Sequence, residues 1–406
     1  MVIVDIDEDS LKQYGRWPWH RDVVGRLAAE LLQRQQVTVL GFDILFAEPD
    51  IKEGEAHAAA SIRDLQLAAQ LRGQPVVLGH WFSSSPNANR TGMLPKALST
   101  GGSGEVAYTG LPQIVGYTAS LPYLVQAAPA GGFINALTDI DGELRSIPLV
   151  AQKGSGAQAQ YYPALSLAMV MRALNIKQVR LVPLDATPRR PQYNPIVGVE
   201  LLQDGSALHI PTDVHGAMLV PFSAHGGKEN GRFRYVSAAD VLNGKLAAKE
   251  LAGRMVLTGT TAVGLGDLHS TPAGQRFAGV EVHAIVISAM LDGSFIQVPD
   301  YAHGFSSCMV LLVVLVLILA LPRAGAVGAV LWCSGLVAAL VGVNFWAYFY
   351  GSVALPLAAS VITVLIAYVL HISYGFFFEK RARKQLARLF GYYGPRELVG
   401  EMMREL

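Results

Sequence analysis

Three uncharged apolar runs stand close together near the end of the chain, and no other feature limits its fold as tightly. Phe305–Leu321, Ala324–Tyr348 and Val353–Phe378 contain no Asp, Glu, Lys or Arg, and His371 is their one histidine. Each holds about 17–26 residues, enough to cross ~30 Å of hydrocarbon as a helix. Buried core helices are the alternative reading. Three such runs in tandem, separated by only a few residues, favour membrane spans. Aromatic residues mark their edges at Tyr301, Trp346, Tyr348, Tyr350 and Tyr374 to Phe378, as interfacial anchors do. Composition agrees: 51% of the chain is hydrophobic and only 16% charged, an apolar excess concentrated after Asp300.

The bases set an orientation. Pro322-Arg323 and the segment EKRARKQLAR, starting at Glu379, carry the Lys and Arg near the spans, and the turn Tyr350-Gly-Ser carries none. Positive charge stays in the cytoplasm, so three spans put residues 1–300 outside it and residues 379–406 inside. An outer domain needs a route across the membrane. Nothing near Val2 looks like a signal peptide or anchor, so the expectation is a natural chain that begins upstream with one further span. Setting aside the tail and Arg323 leaves 24 bases against 27 acids in the first 300 residues. That balance gives no nucleic-acid surface. The basic run Thr187-Pro-Arg-Arg-Pro reads as a solvated loop. Cys308 and Cys333 both lie in apolar runs, so cysteine reports no redox compartment.

The first 300 residues read as α/β. Val2–Ile6 (VIVDI), Val37–Leu45 and Pro75–Gly79 are expected strands. Asp22–Gln35 and Ala56–Leu71 are the helices between them, an alternation that predicts a mainly parallel sheet. Gly131–Val150 reads as two strands joined by a turn at Asp141-Gly142. Tyr162–Leu174 reads as a helix, and Gly198–Phe222 as a meander with a hairpin turn at Asp204-Gly205. A short helix at Ser237–Leu242, a buried strand at Met255–Thr258 and a helix at Val280–Leu291 follow.

Several segments, in order, resemble the CHASE type-two domain, an extracellular sensor module of bacterial cyclases, histidine kinases and serine/threonine kinases. They are VDIDEDSL at Val4, GRWPWHRDVV at Gly15, GFDILFAEPD at Gly41 and DIDGELRSIPL at Asp139. They continue with YPALSLA at Tyr162, VSAADVLNG at Val236, MVLTGTTAVGLGDLHSTP at Met255 and AGVEVHAIVISAMLDG at Ala278. The resemblance implies an extracytoplasmic sensor in a bacterial inner membrane, with one anchor span before the domain and three after it.

Candidate site residues lie where a parallel sheet binds ligands, beyond the carboxyl ends of its strands. Asp5, Asp7 and Glu8 follow the first strand, Asp43 ends the second with Glu48 and Asp50 nearby, and Asp267 and His269 follow the strand at Met255. If those ends are neighbours, carboxylates converge and require a cation, a basic ligand or arginine partners. Arg16, Arg21 and Arg145 are possible partners. Alternation puts Asp5 and Asp7 on one face. Trp17-Pro18-Trp19 either stiffens a helix entry and covers the core, or walls a ligand crevice together with Arg21.

Other motifs argue against enzymatic chemistry in this stretch. Gly259-Thr-Thr-Ala-Val-Gly-Leu-Gly266 lacks the lysine and Ser/Thr of a phosphate loop and reads as a turn. His209, His215, His225, His269 and His283 are too scattered to be metal ligands. His283 reads as a packed core residue, and His371 as a structural or proton-sensitive group within a span. No metal or cofactor is expected for this chain.

The tail EKRARKQLARLFGYYGPRELVGEMMREL begins with bases that would lie on anionic lipid headgroups. Leu386, Leu389, Phe390 and Tyr393 form one helical stripe, which needs a partner; a parallel homodimer or the membrane surface would supply one. FGYYGPRELVGEMM resembles the linker before class III adenylate/guanylate cyclase domains. That resemblance implies an output domain making cAMP from ATP with Mg or Mn, carried by residues beyond Leu406. The alternatives are a kinase output or a stand-alone membrane module.

Overall fold

Val2, Ile3, Val4 and Asp5 are all buried, as expected for a strand covered on both faces. The computed structural model describes residues 1–50, 61–100, 108–184, 194–203, 206–222, 226–262, 264–265, 267–273, 276–299 and 301–390. It divides into two compact units, Met1–Phe295 and Ile296–Leu406.

In the first unit six parallel strands form the main sheet: β1 (Val2–Asp5), β2 (Val39–Phe42), β3 (Val76–Ser83), β4 (Gly131–Phe133), β5 (Arg234–Ser237) and β6 (Met255–Gly259). Their spatial order is β5-β1-β6-β2-β3-β4, and every neighbouring pair is parallel. The mainly parallel sheet expected from the sequence is therefore present. The far end of β3 also pairs antiparallel with Gly116–Thr118.

Side-chain alternation splits the core into two layers. Ile3, Val39, Val77 and Leu257 face α5 (Leu165–Ala173) and α7 (Gly279–Asp292), among Met169, Val170, Ile285 and Val286. Val4, Leu40, Phe42, Val76 and Val256 face the other way. They meet α2 (Arg21–Ala29), α3 (Ile62–Leu71), α4 (Pro122–Ala127) and α6 (Ala238–Leu242) through Val24, Leu27, Leu67, Leu71, Leu124 and Val241. α1 (Glu8–Tyr14) directly follows β1, and a one-turn helix, Gly227–Asn230, precedes β5.

Several expectations need correction. The expected helix at Asp22–Gln35 ends as a π-helical turn over Glu30–Arg34. The turn at Asp141-Gly142 exists, closed by Gly142 N–H donating to Asp139 O at 2.9 Å, but its flanking strands do not pair. The first is β4, and the second, Ser146–Pro148, pairs antiparallel with Ala217–Leu219. Tyr162 and Pro163 belong to a strand, Gln160–Pro163, paired with Val150–Lys153, and α5 starts only at Leu165. The expected meander is divided: Ile196–Gln203 and Ser206–Pro211 pair with each other, and Ile196–Gln203 also pairs with Gln178–Pro183. The Asp204-Gly205 turn, the Thr187–Pro191 run and His225 lie outside the described residues, as do residues 56–60 of the expected helix at Ala56–Leu71.

The second unit holds α8 (Ala302–Ala320), α9 (Ala326–Gly351) and α10 (Ala358–Phe390). Val313, Leu317, Ala329, Cys333, Leu340 and Val364 pack between them. Leu311, Leu312, Leu315, Ile318, Leu331 and Trp332 are exposed, the inverse of a water-soluble bundle. Gly304–Arg323 and Val327–Gly351 are long and apolar enough to cross a bilayer. The third apolar stretch is described over 17 residues, Ala358–Tyr374, and is shorter than these two. It starts later than expected because Pro356 precludes helical backbone before it and Val353 bridges to Gln297 instead.

Candidate functional site

The sheet order makes the carboxyl ends of β1, β6 and β2 neighbours. Asp5 ends β1 with no exposed surface. It accepts hydrogen bonds from Thr261 N at 3.0 Å and Thr261 Oγ1 at 2.7 Å, and Lys228 Nζ stands 3.8 Å away. Burial raises its pKa, against the hydrogen bonds from Thr261 and the charge of Lys228. Asp7 is the N-cap of α1 and accepts from Ser10 N at 3.0 Å, which satisfies one of the helix's free amides. It also accepts from Ser10 Oγ and Ser237 Oγ, both at 2.8 Å, and from Lys228 Nζ at 2.6 Å. Burial alone would raise its pKa. The bonds from Lys228, Ser10 and Ser237 outweigh that and hold it at about 2.

Asp5 and Asp7 thus come together as the alternation implied, but their cation is Lys228 and not an arginine. Lys228 lies more than two hundred residues away in a one-turn helix, Gly227–Asn230, whose sequence carries no motif, so sequence reasoning missed it, along with Thr261 and Ser237. Arg145 instead clamps Asp139 and Asp141, both at 2.7 Å. Arg21 donates from Nε to Asp64 Oδ1 at 3.2 Å and from Nη2 to Glu48 O at 2.9 Å, and it lies over the Phe46 ring.

Trp17 and Trp19 belong to that neighbourhood. Trp19 is buried and donates from its indole to Gly15 O at 3.0 Å, with Tyr14 and Trp17 edge-on to it. Asp50 accepts from Arg21 N at 2.8 Å and pairs with His20 and Arg63. Asp64 also accepts from Tyr123 at 3.1 Å. These groups lock α2, α3 and the Glu48–Asp50 segment together. Arg21 serves this lock, and its side-chain hydrogen bonds go to Asp64 and Glu48 rather than to Asp5 or Asp7.

Asp43, just past β2, differs from the other acids. Among the described residues its carboxylate has neither a hydrogen-bond nor an ion-pair partner. Burial, then the charge of Asp267, pushes its pKa up to about 7. A side chain at Gly259, the end of β6, would lie 3.5 Å from the Asp43 Cβ and press on Val280, so glycine there permits this approach to the start of α7. His269 Nε2 lies 3.1 Å from Asp267 Oδ2, though outside hydrogen-bonding alignment. His283, on α7, is buried and its pKa falls to about 4, chiefly through burial. Asp43, Asp267 and His269 are therefore close, as the sequence anticipated. Among the described residues no group of three or more His, Cys, Asp or Glu is arranged to hold a metal. The described part of the Gly259–Gly266 segment is a turn, with Leu265 N–H donating to Ala262 O; Val263 and Gly266 lie outside the described residues.

The chain thus joins a three-layer α/β domain to helices with apolar exteriors, two of them long and apolar enough to cross a bilayer. The CHASE2 domain family model matches residues 1–321, and the chain belongs to that family of extracellular sensor domains. No match was found among curated proteins or among solved structures.

Proposed function

We propose that this chain is the input half of a transmembrane receptor. The domain formed by residues 1–295 meets its stimulus outside the cytoplasm. Three spans, the third being the apolar part of α10, carry the signal inward to a class III adenylate/guanylate cyclase that follows Leu406. ATP and a divalent cation would bind to that output domain. The chain acts as a parallel homodimer, with Leu386, Leu389, Phe390 and Tyr393 facing a second copy and the bases after Glu379 on lipid headgroups. Tyr393 lies outside the described residues.

The observation that carries this reading is the continuity of α10. One helix of 33 residues runs unbroken from an apolar stretch into the basic segment EKRARK. A continuous helix transmits rotation: each added residue turns everything beyond it by about 100°. The test is an insertion series between Lys384 and Gln385, with the natural downstream sequence retained and cAMP formation as the readout. One inserted residue should abolish or invert the response, and seven should restore it. An output indifferent to helical phase would overturn the rigid-helix transmission.

A further inference from the structure

Asp5 and Asp7, at the end of β1, are held by Lys228, Thr261, Ser10 and Ser237; the other half of the same sheet edge differs. A cavity of about 340 Å³ opens there, beyond the carboxyl ends of the adjacent strands β3 and β4. Phe82 and Ser84 line it from the end of β3, and Phe133 and Asn135 from the end of β4. Pro148 and Ala151 close it from the neighbouring antiparallel strands.

The site is constructed from long-range contacts. The Asn135 amide accepts from Phe82 N and donates to Phe82 O, both at 2.8 Å, and so fixes the two strand ends to each other. The Phe82 and Phe133 rings are 5.5 Å apart. Gly110 has φ of +87°, and a Cβ there would fall 2.3 Å from Val214 O. Glycine therefore lets the turn carrying His215 close on this side, where His215 Nδ1 meets Gly110 O at 3.1 Å.

We propose that this cavity is the ligand site of the sensor and that it takes an uncharged, ring-bearing small molecule with one or two hydrogen-bonding groups. The proposal rests on the sensor reading above and names the ligand class. Three observations support it. The volume lies within the range of small-molecule sites, roughly 300–1,000 Å³, and far exceeds the water-sized voids of packed cores. Open parallel sheets bind ligands beyond their carboxyl ends, where this cavity sits. Its lining holds two aromatic rings and polar groups from Ser84, Gln113, Asn135 and His215, with no Lys, Arg, Asp or Glu among the described residues. A charged ligand would lose its hydration there without a counter-charge. Leu137 stands at the cavity with 49% of its surface exposed, an apolar group that a ligand would cover.

The test uses the full chain in lipid nanodiscs and equilibrium dialysis with coumarin and 2-quinolinone, and with coumarin-3-carboxylate as the anionic counterpart. The neutral probes should bind saturably, and the carboxylate should bind at least about tenfold more weakly. Ala151→Phe, which fills the cavity, should remove binding. Leu137→Asp changes an exposed residue and leaves the core intact; it should weaken the neutral probes by about tenfold through the desolvation of a charge against them. No saturable binding of either neutral probe, equal binding of the carboxylate, or unchanged binding in Leu137→Asp would overturn the assignment. Dialysis depends on neither membrane orientation nor output. A receptor that fails the insertion series yet binds these probes would lose the signalling account and keep the site.

Discussion

Asp43 and Asp7 are carboxylates on one sheet edge with opposite tendencies. Asp7, held at about 2 by Lys228 and two hydroxyls, contributes stability above the ordinary carboxylate pKa of 3.8 and loses it as pH falls toward 2. Asp43 has its folded pKa raised to about 7. The folded state therefore holds a proton that the unfolded chain releases near pH 4. Its contribution is fully present below that value and is lost as pH rises through 7, by at most about 1.4 kcal/mol per pH unit. Asp43→Asn should flatten this decline and make the protein more stable than the parent at pH 8. Denaturant titrations at pH 5, 7 and 8 measure it; an unchanged slope between pH 5 and 8 would refute the assignment. Burial and the charge of Asp267 set this behaviour. Asp43 and Asp267 were legible in the sequence, because each follows a recognisable strand. The sequence could not show that Asp43 has no hydrogen-bond or ion-pair partner among the described residues, which depends on where distant cations end up.

At the scale of elements, the Arg21–Asp64 pair holds α2 against α3. Both side chains are buried, and Asp64 also receives Ser61, Tyr123 and the Asp50 amide. Removing one partner leaves an uncompensated charge, so Arg21→Ala should cost about 3–5 kcal/mol. Arg21→Met, which retains much of the stem, should recover little of that loss if charge pairing dominates. Denaturant midpoints of both variants decide it; a loss below about 1 kcal/mol would mean that water or another cation compensates. The strands of the parallel sheet were legible in the sequence because β-branched runs ending in Asp stand between helical periods. Their order was not. Inserting β6 between β1 and β2 depends on a crossover from the far end of the domain, which no local pattern records. β4 shows the same limit. Gly131-Gly132-Phe133 looks like one arm of a hairpin, yet Gly132 is the place where the α5 entry approaches, with Leu165 Cα 2.5 Å from where a Cβ would stand. The turn chemistry at Asp139–Gly142 was correctly read and the strand partners were not, since a turn fixes its own residues and not what the chain meets afterward.

At the scale of the whole chain, the proposed receptor has an outward-facing sensor and an inward-running helix. The apolar exteriors of α8 and α9 were fully legible, because hydrocarbon selects composition and length over any particular packing. The cavity beyond β3 and β4 was invisible in the sequence, because its walls come from five separate segments that carry no shared motif. The most direct test of the account is the side of the membrane on which each unit lies. With Cys308 and Cys333 replaced by alanine, a cysteine at exposed Ser85 and another appended after Leu406 can be probed separately in intact cells, using the gene's own start and a membrane-impermeant maleimide. The account predicts labelling at position 85 without permeabilisation, and labelling of the appended cysteine only after it. Labelling of the appended cysteine in intact cells, with position 85 protected until permeabilisation, would contradict it.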